Sequence, residues 1–203
     1  MIAIIDYGAG NILSVQKALD YIGCENTVTS DPAVIAAADG AILPGVGSFG
    51  DAMDNMQARG LVGATKEFAA SGKPFLGICL GLQVLFDSSE ESEGVQGLSL
   101  LSGAVKRFPA DMGLKIPHIG WNSITYNKEC PLFKELPENP YVYFVHSYYL
   151  QAERADVVAA TANYGIDFHA AAWHNNVFAT QFHPEKSGSI GLQILRNFVD
   201  LTK

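Results

Sequence analysis

The sequence Phe75-Leu76-Gly77-Ile78-Cys79-Leu80-Gly81-Leu82-Gln83 predicts a buried strand that turns abruptly into a helix. We place the strand at residues 75–78 and the helix at 80–86, so Cys79 lies at the corner. Such a corner residue is strained and exposed, and glycine two positions before and after it leaves room for the backbone. The amides and the positive dipole end of the helix favour a thiolate there. The pattern therefore predicts a cysteine nucleophile.

A candidate base for this thiol occurs far downstream, in His183-Pro184-Glu185. A residue before proline is extended, so the side chains of His183 and Glu185 should point to the same side, and the carboxylate can orient the imidazole. Taken alone, the cysteine is typical of a small buried residue and the His-Pro-Glu sequence is typical of a turn. Together they have the chain order of α/β-hydrolase-type sites. We therefore predict a triad of Cys79, His183 and Glu185.

Alternating strands and helices in the first half predict a parallel sheet covered by helices on both faces. Apolar residues at helical spacing indicate a first helix over residues 11–22. The other elements of this half are strands at residues 2–5, 27–29, 41–43 and 75–78, and a helix at 51–71 broken around Gly60 and Gly63. The expected fold class is α/β, with an open, mostly parallel sheet.

Strand-like segments dominate after the acidic run Glu90-Glu91-Ser92-Glu93, which is typical of a solvated loop. They predict an antiparallel extension of the sheet, at residues 98–108, 121–126, 141–150 and 157–162. A hairpin of residues 168–173 and 177–182 is expected to deliver His183. Ser187 is the expected N-cap of a last helix, with Phe198 and Leu201 among its inward residues. Residues 1–203 are expected to form a single domain.

The composition is that of an ordinary globular protein, with 48% hydrophobic and 17% charged residues among 203. A net charge of −8 without a basic cluster argues against nucleic-acid binding. No apolar run approaches the ~20 residues of a membrane span, and the first residues have the pattern of a strand rather than of a leader. We therefore expect a cytoplasmic protein that binds neither nucleic acid nor membrane.

Neither the cysteines nor the histidines are spaced as metal ligands. The cysteines other than Cys79 lack CxxC spacing, which fits neither a disulfide framework nor a zinc site. No ligand pattern joins His118, His169 and His174, and His146 is expected to be a structural, hydrogen-bonding histidine. We predict no metal and no other cofactor.

A glycine loop, Gly45-Val46-Gly47-Ser48-Phe49-Gly50, follows a predicted strand and precedes a predicted helix. It matches the GxGxxG pattern of dinucleotide binding, with Glu67 at a tolerable distance for a ribose contact. That pattern usually follows the first strand of a domain, whereas this loop follows the third. In the competing interpretation, the loop aims a backbone N–H at an oxyanion, together with the N–H of Leu80. This second role unites the loop and the elbow in one site.

Three motifs of the chain occur together in one enzyme family: Pro44-Gly45-Val46-Gly47, Gly77-Ile78-Cys79-Leu80-Gly81-Leu82-Gln83 and Gln181-Phe182-His183-Pro184-Glu185. They resemble the class I (triad-type) glutamine amidotransferases. Three more selective motifs are His118-Ile119-Gly120-Trp121-Asn122, Phe144-Val145-His146-Ser147-Tyr148 and Lys186-Ser187-Gly188. These are similar to the glutaminase subunits of imidazole glycerol phosphate synthases. The likeness covers essentially the whole chain.

The resemblance implies roles for the predicted triad. Cys79 would attack the side-chain amide of glutamine, His183 would protonate the departing ammonia, and water would then release glutamate from the thioester, while Glu185 holds the imidazole. Gly47 and Leu80 match the backbone oxyanion positions of the family. The loop at Gly47 is not always set for catalysis in the family until the partner's ligand binds.

The resemblance also implies a substrate site and a partner. The family binds the amino-acid end of glutamine at the positions of Gln83, Ser147 and Tyr148. The expected partner is a (β/α)₈-barrel cyclase, which forms a heterodimer with the glutaminase and receives its ammonia for histidine biosynthesis. The residues implied at the interface and the ammonia exit are Asn11, Trp121, Tyr143 and Lys186. From the sequence alone, the two aromatic residues fit a core equally well, and the lysine fits a solvated surface.

Three other functions stay open at this point. A glutaminase subunit of a pyridoxal phosphate or anthranilate synthase would share the triad, although Trp121 and Lys186-Ser187-Gly188 favour the histidine pathway. A regulatory binding subunit with an unreactive cysteine is the non-enzymatic alternative. A dinucleotide-binding domain, built on residues 45–50, is the third.

Overall fold

The computed structural model describes residues 1–203, which form thirteen strands and six α-helices. The strands are β1 Ile2–Ile5, β2 Asn26–Thr29, β3 Gly40–Gly45, β4 Phe75–Cys79, β5 Ser88–Ser89, β6 Gly103–Arg107, β7 His118–Ser123, β8 Thr125–Tyr126, β9 Tyr141–His146, β10 Tyr148–Ala152, β11 Val158–Tyr164, β12 Ile166–His174 and β13 Val177–Thr180. The helices are α1 Ile12–Tyr21, α2 Pro32–Ala37, α3 Phe49–Ala58, α4 Leu61–Ala70, α5 Leu80–Gln83 and α6 Gly188–Asp200.

Five strands form the parallel part of the main sheet, in the order β2-β1-β3-β4-β13. The four strands predicted in the first half are confirmed. Helix α2 is not among the predicted elements, although its start carries two sequence signals. Pro32 is its first residue, and the side chain of the N-cap Asp31 accepts a hydrogen bond from the Ala33 N–H at 2.8 Å. Six residues are too few to show a helical periodicity.

Helices cover both faces of this sheet, as predicted. Successive side chains of a strand point to opposite faces, so β1 contributes to two separate cores. Ile2 and Ile4 pack with apolar residues of α1 and α6. Ala3 and Ile5 pack with apolar residues of α2, α3 and α4 on the other face. The sheet is therefore the middle of three layers, and its strands are buried on both sides.

The second half extends the same sheet with antiparallel strands, as predicted. β12 and β13 form the expected hairpin, and β10 then joins β12 to β6. The strand predicted at residues 98–108 is wrong in its first part, because only Gly103–Arg107 is extended. The N–H of Leu98 instead donates to the Val84 carbonyl at 2.7 Å, so this segment closes the turn after α5.

The continuous strand predicted at residues 141–150 is also wrong, because the chain leaves one sheet and enters another at Ser147. β9, before this residue, pairs with β7 in a separate two-stranded sheet. β10, after it, belongs to the main sheet. A nearly continuous run of aromatic and aliphatic residues passes through both strands, so the sequence shows no boundary between them.

The helices differ from their predicted form at two glycines and at one end. The predicted break occurs at Gly60, whose left-handed backbone (φ 69°) separates α3 from α4. Gly63 does not break the chain and lies inside α4. Leu201, expected to face inward at the end of α6, follows the helix and is 38% exposed.

Ser187 does not cap α6 with its side chain, contrary to the prediction. Its Oγ donates to the His183 carbonyl at 2.6 Å and accepts from the Tyr143 N–H at 2.9 Å. The hydroxyl therefore ties β9 to the segment that carries the predicted base. The helix that follows is the longest of the chain at 13 residues, and no helix combines the length and apolarity needed to cross a membrane.

Candidate active site

Cys79 occupies the predicted corner between β4 and α5, with φ 57° and ψ −109°. This conformation is rare for an L-residue. The two flanking positions have no room for a side chain. A Cβ on Gly77 would lie 2.6 Å from the Gly81 carbonyl oxygen, and one on Gly81 would collide with the Leu43 carbonyl oxygen. The strained backbone of the elbow is confirmed, but the predicted exposure is wrong, because Cys79 is buried, with 7% of its surface exposed. The helix after it is shorter than predicted and ends at Gln83, so its dipole is that of about one turn.

His183 and Glu185 form the expected pair. His183 is extended, whereas Pro184–Lys186 is a single 3₁₀ turn, which brings the Glu185 Oε1 to 2.8 Å from the His183 Nδ1. Both side chains are buried, and Asn11 donates a further hydrogen bond to the same carboxylate oxygen at 3.4 Å. Nδ1 is thus engaged, and the Nε2 of the ring has no partner within the chain.

The environment of His183 favours its charged form. Burial alone lowers its pKa, but the proximity of Cys79 and the hydrogen bond to Glu185 outweigh burial and raise the pKa to about 9. An imidazolium beside a cysteine is the arrangement that stabilises a thiolate nucleophile.

A cavity of about 320 Å³ opens over the elbow. Its lining includes most of the residues predicted for the site: Gly47, Cys79, Leu80, Gln83, Ser147, Tyr148 and His183. Glu185 does not line the cavity and supports the imidazole from behind. The volume lies at the small end of ligand sites, which suits a single amino acid.

Ser147 and Tyr148 reach the cavity because the chain changes sheets there. Ser147 is the residue between β9 and β10, and its carbonyl accepts from the Phe108 N–H at 3.1 Å. The Tyr148 carbonyl accepts from the Gln83 side chain at 3.3 Å. These contacts join the sheet junction to the helix after the elbow.

The glycine loop lies beside Cys79, at the end of β3. Gly47 has φ 104°, and its N–H makes no hydrogen bond within the chain. The amides at the start of α3 are already engaged: the Phe49 N–H donates to Glu91 and the Gly50 N–H to Ser92, at 2.8 and 2.9 Å. A pyrophosphate needs these same donors, so the structure argues against dinucleotide binding.

The acidic run is therefore more than a solvated loop, which corrects the prediction for it. Glu90 is exposed, pairs with Lys106 at 3.1 Å and also accepts the Arg107 N–H at 2.8 Å. Glu91 is half-buried and lines the cavity. No local pattern distinguishes the two residues, because the role of Glu91 depends on the contact between this loop and the first residue of α3, Phe49. Glu91 is the charged cavity residue that the sequence did not predict for the site, and Pro117 is a further lining residue that was not predicted.

Three of the four residues predicted for the interface form one cluster. Trp121 and Tyr143 are paired across β7 and β9, with ring centroids 6.2 Å apart, and the Lys186 Nζ lies 5.9 Å from the Tyr143 ring centroid. Trp121 is 55% exposed, so it is not a core aromatic. The fourth residue, Asn11, donates a hydrogen bond to Glu185, the chain neighbour of Lys186.

His146 has the structural role expected for it. Its Nδ1 lies 2.7 Å from the Tyr148 carbonyl and its Nε2 lies 2.9 Å from His118. Burial lowers the pKa of His146 to about 3 and that of His118 to about 4, so both rings are neutral at physiological pH. No group of three or more His, Cys, Asp or Glu side chains is placed to hold a metal ion.

Comparison with known proteins agrees with this geometry. Residues 3–201 match the family described as glutamine amidotransferase class-I. The chain is 55% identical to the imidazole glycerol phosphate synthase subunit HisH of Syntrophotalea carbinolica, over 99% of this chain and 100% of that protein. It is 54% identical to the subunit of the same name from Moorella thermoacetica, over 100% of this chain and 95% of that protein.

A solved structure, PurLQS from Thermotoga maritima, has a TM-score of 0.78 to this chain at 20% identity, covering 100% of this chain and 98% of that chain. At this identity the likeness shows the fold alone. The family match over residues 3–201 and the relatives at 54–55% identity show the family as well as the fold. The chain belongs to the class-I glutamine amidotransferase family.

Proposed function

We propose that this protein is the glutaminase subunit of an imidazole glycerol phosphate synthase and hydrolyses glutamine to glutamate and ammonia. The observation that carries the proposal is the joint placement of Cys79 and His183 in one cavity of about 320 Å³. Full-length relatives at 54–55% identity that are named HisH subunits support the specific assignment.

The first half of the reaction begins with the Cys79 thiolate and the His183 imidazolium, because the thiol proton has passed to the otherwise unpartnered Nε2 of His183. The Cys79 sulfur attacks the side-chain carbonyl carbon of glutamine, and the carbonyl oxygen becomes an oxyanion. The backbone N–H groups of Gly47 and Leu80 are the proposed donors to it. The protonated Nε2 of His183 gives its proton to the departing nitrogen, the C–N bond breaks, and ammonia leaves behind a thioester.

The second half returns the enzyme to its starting state. Water attacks the thioester, with the now neutral His183 taking a proton from it, and the C–S bond breaks to release glutamate and the thiolate. Glu185 keeps the imidazole oriented through both steps, because its Oε1 lies 2.8 Å from Nδ1. We propose that Gln83, Ser147 and Tyr148 bind the amino-acid end of the substrate, as their positions in the cavity lining support.

We propose a (β/α)₈-barrel cyclase as the partner, in a heterodimer formed on the exposed face of the small sheet. This β7–β9 face consists of the apolar outward residues of both strands: Ile119, Trp121, Tyr141, Tyr143 and Val145. Three of them are between 55% and 60% exposed. An apolar sheet face of this kind is typical of a surface that another protein covers.

The position of this face suits ammonia transfer. The His183 N–H donates to the Tyr143 carbonyl at 2.9 Å, so the face directly adjoins the residue that protonates ammonia. Ammonia released into water would be protonated and would lose its nucleophilic lone pair. A partner seated on the β7–β9 face would receive it directly, with Trp121, Tyr143 and Lys186 near the exit and Asn11 on the triad side.

Two further properties are part of the proposal. We infer that residues 1–203 are one domain, which the continuity of the eleven-stranded sheet supports. We also infer that the protein works in the cytoplasm, where free cysteines stay reduced; all three cysteines of the chain are unpaired.

The replacement Cys79→Ala tests the reaction. We expect glutamine hydrolysis to fall at least about a thousandfold, because no other side chain can form the thioester. The complex of this variant with the cyclase subunit should still make product from added ammonium salts. Measuring both activities on the same preparation separates loss of the nucleophile from loss of the fold.

The matched control is Cys24→Ala, which removes a half-buried cysteine far along the chain from the elbow. It should retain both activities. Glutamine hydrolysis by the Cys79→Ala variant at a rate near that of the unmodified protein would refute the proposed function.

A further inference from the structure

We infer that Gln181 is a further catalytic residue, whose side-chain amide donates a hydrogen bond to the nucleophilic sulfur of Cys79. The inference rests on the proposed function, because it concerns the same thiol. Gln181 is fully buried, and its Nε2 lies 3.7 Å from the Cys79 Sγ. This distance is within the range of a hydrogen bond to sulfur, and the contact lies outside the proposed triad.

The orientation of the Gln181 amide is determined by its other contact. Its Oε1 accepts a hydrogen bond from the Gln83 Nε2 at 3.1 Å. The reversed orientation would place two NH₂ groups against each other and would turn the carbonyl oxygen toward the sulfur. Only the observed orientation satisfies both neighbours, so the NH₂ group of Gln181 faces Cys79.

Gln83 is held in the same way. Its NH₂ group donates to the Gln181 Oε1 and to the Tyr148 carbonyl, at 3.1 and 3.3 Å. Both of its N–H donors are therefore used inside the protein, and only its carbonyl oxygen is available to a ligand. Gln83 thus acts as a positioning residue for Gln181, in addition to its proposed place in the substrate site.

The backbone of Gln181 is also anchored. Its N–H donates to the Ala170 carbonyl at 2.8 Å, and the residue lies between β13 and His183. The side chain therefore reaches the sulfur from the segment that carries the base. A neutral amide donor stabilises a thiolate without competing with His183 for the proton that must reach ammonia.

The test compares Gln181→Met and Gln181→Glu with the unmodified full chain, without glutamine present. The probe is iodoacetamide, and mass spectrometry quantifies alkylation at Cys79 as a function of pH, because the thiolate is the reacting species. The methionine removes the donor, so we expect the profile to move to higher pH by about one unit. The glutamate places a carboxylate oxygen near the sulfur, so we expect a larger move in the same direction.

The matched control pair is Gln193→Met and Gln193→Glu. Gln193 donates to the Asn197 side chain at 2.9 Å, so it is another amide paired with an amide, on α6. In these variants the pH dependence of Cys79 alkylation should be the same as in the unmodified protein. Circular dichroism of each variant confirms that the fold is retained, and Gln181→Asn, which is too short to reach the sulfur, replaces any variant that fails to fold.

A double-mutant cycle extends the test to Gln83. If Gln83 acts on the sulfur only through Gln181, the Gln83→Met change should move the profile in the unmodified background and should add nothing in the Gln181→Met background. In steady-state assays, Gln181→Met should lower kcat about tenfold or more, with a smaller change in KM.

The outcomes separate this inference from the proposed function. Unshifted profiles in folded Gln181 variants would overturn the donor role even if kcat fell, because a merely structural residue has no reason to change the reactivity of the thiolate. Retention of glutaminase activity after full alkylation of Cys79 would instead overturn the proposed function. The expected order, with the glutamate variant shifted most, supports the inference.

Discussion

At the scale of single residues, the two nitrogens of His183 differ in their contacts. Nδ1 is engaged by Glu185 at 2.8 Å, and Nε2 has no partner in the chain. With its pKa raised to about 9, the ring is charged at neutral pH, and Nε2 can give a proton to the leaving nitrogen. A raised pKa stabilises the fold below the ordinary value of 6.5, and this contribution is lost as the pH rises through about 9.

Glu91 provides a testable prediction about substrate binding at the scale of single residues. One of its carboxylate oxygens accepts the Phe49 N–H, and the other makes no hydrogen bond within the chain while the side chain lines the cavity. We expect the free oxygen to bind the α-ammonium group of glutamine. The change Glu91→Gln should then raise KM for glutamine about tenfold, because a charge-assisted hydrogen bond is lost, with little change in kcat.

A substrate analogue and a neighbouring residue sharpen the Glu91 test. With 4-carbamoylbutyrate, which lacks the α-amino group, the Glu91→Gln variant and the unmodified protein should have similar KM values. Glu93→Gln, an exposed change in the same loop, should leave KM for glutamine in place. A rise in KM that persists with the analogue would show that Glu91 acts by holding the loop rather than by binding the ammonium group.

The triad could be predicted because its residues lie in short local motifs, whereas the contacts of Glu91 and Gln181 could not, although Gln181 belongs to the same motif as His183. Glycines on both sides of Cys79 indicate an elbow, and the proline after His183 indicates extended backbone at that residue. The two side chains meet, however, through the 3₁₀ turn Pro184–Lys186, which is not part of the predicted geometry of this pair. The contacts of Glu91 and Gln181 are made with segments 42 and 102 positions away in sequence. A single sequence does not show which distant segments come into contact in the folded chain.

At the scale of elements, a hydrogen-bonded series crosses the small sheet from β7 to the edge of the cavity. The Tyr148 carbonyl can only accept, so the His146 Nδ1 must donate to it and the His146 Nε2 must accept from the His118 Nδ1. Asn122 completes the series, with its Nδ2 lying 3.5 Å from the His118 Nε2. The two histidines face each other in the register of β7 and β9.

This series predicts how stability depends on pH. Burial is the main cause of the lowered pKa values of both histidines, and for His146 the neighbouring His118 and His183 add to it. A lowered histidine pKa means that unfolding takes up protons, so stability is complete above 6.5 and falls as the pH decreases toward about 4. For His118 alone the loss amounts to roughly 3 kcal/mol.

The replacement His118→Phe should therefore reduce the pH dependence of unfolding. His118 stacks on Tyr164 and Phe144, with centroids 4.0 and 4.9 Å away, so a phenyl ring fits the same stack. Between about pH 4.5 and 6, two buried histidines give a slope near 2.7 kcal/mol per pH unit, and one gives about half of it. Urea unfolding at several pH values measures this slope.

Phe144→Leu is the control for packing, since it loosens the same stack without removing a titrating group. It should lower stability at every pH and leave the slope unchanged. Equal slopes for His118→Phe and the unmodified protein would contradict the role given to this histidine pair.

Element boundaries show which structural signals are visible in the sequence. The β12–β13 hairpin and the parallel strands could be predicted, because each combines an apolar run with turn residues at its ends. The division between β9 and β10 at Ser147 could not, because both strands are rich in aromatic and aliphatic residues although they belong to different sheets. Sheet membership is decided by tertiary contacts rather than by periodicity.

At the scale of the whole molecule, the small sheet gives the protein an apolar surface next to its reactive centre. Its inner side packs in the core through Val142 and Phe144, whereas the β7–β9 face is largely uncovered. Ser187 bridges this sheet to His183 with two hydrogen bonds, to the Tyr143 N–H and to the His183 carbonyl. A partner bound to this surface would thus contact β9, the strand whose Tyr143 carbonyl accepts the His183 N–H.

The last prediction concerns that surface. Replacing Trp121 with Ser should weaken binding of the cyclase subunit about 30-fold, because a central exposed aromatic residue is a typical hot spot worth about 2 kcal/mol. Isothermal titration calorimetry of the two purified subunits measures the Kd. Leu201→Ser is the matched control, because Leu201 is also an exposed apolar residue but lies beyond the far end of α6, about 20 Å along the helix from Gly188. It should leave the Kd unchanged. An equal loss of affinity in both variants would show general destabilisation, and unchanged affinity in the Trp121→Ser variant would place the partner on another face and remove the direct route for ammonia from His183.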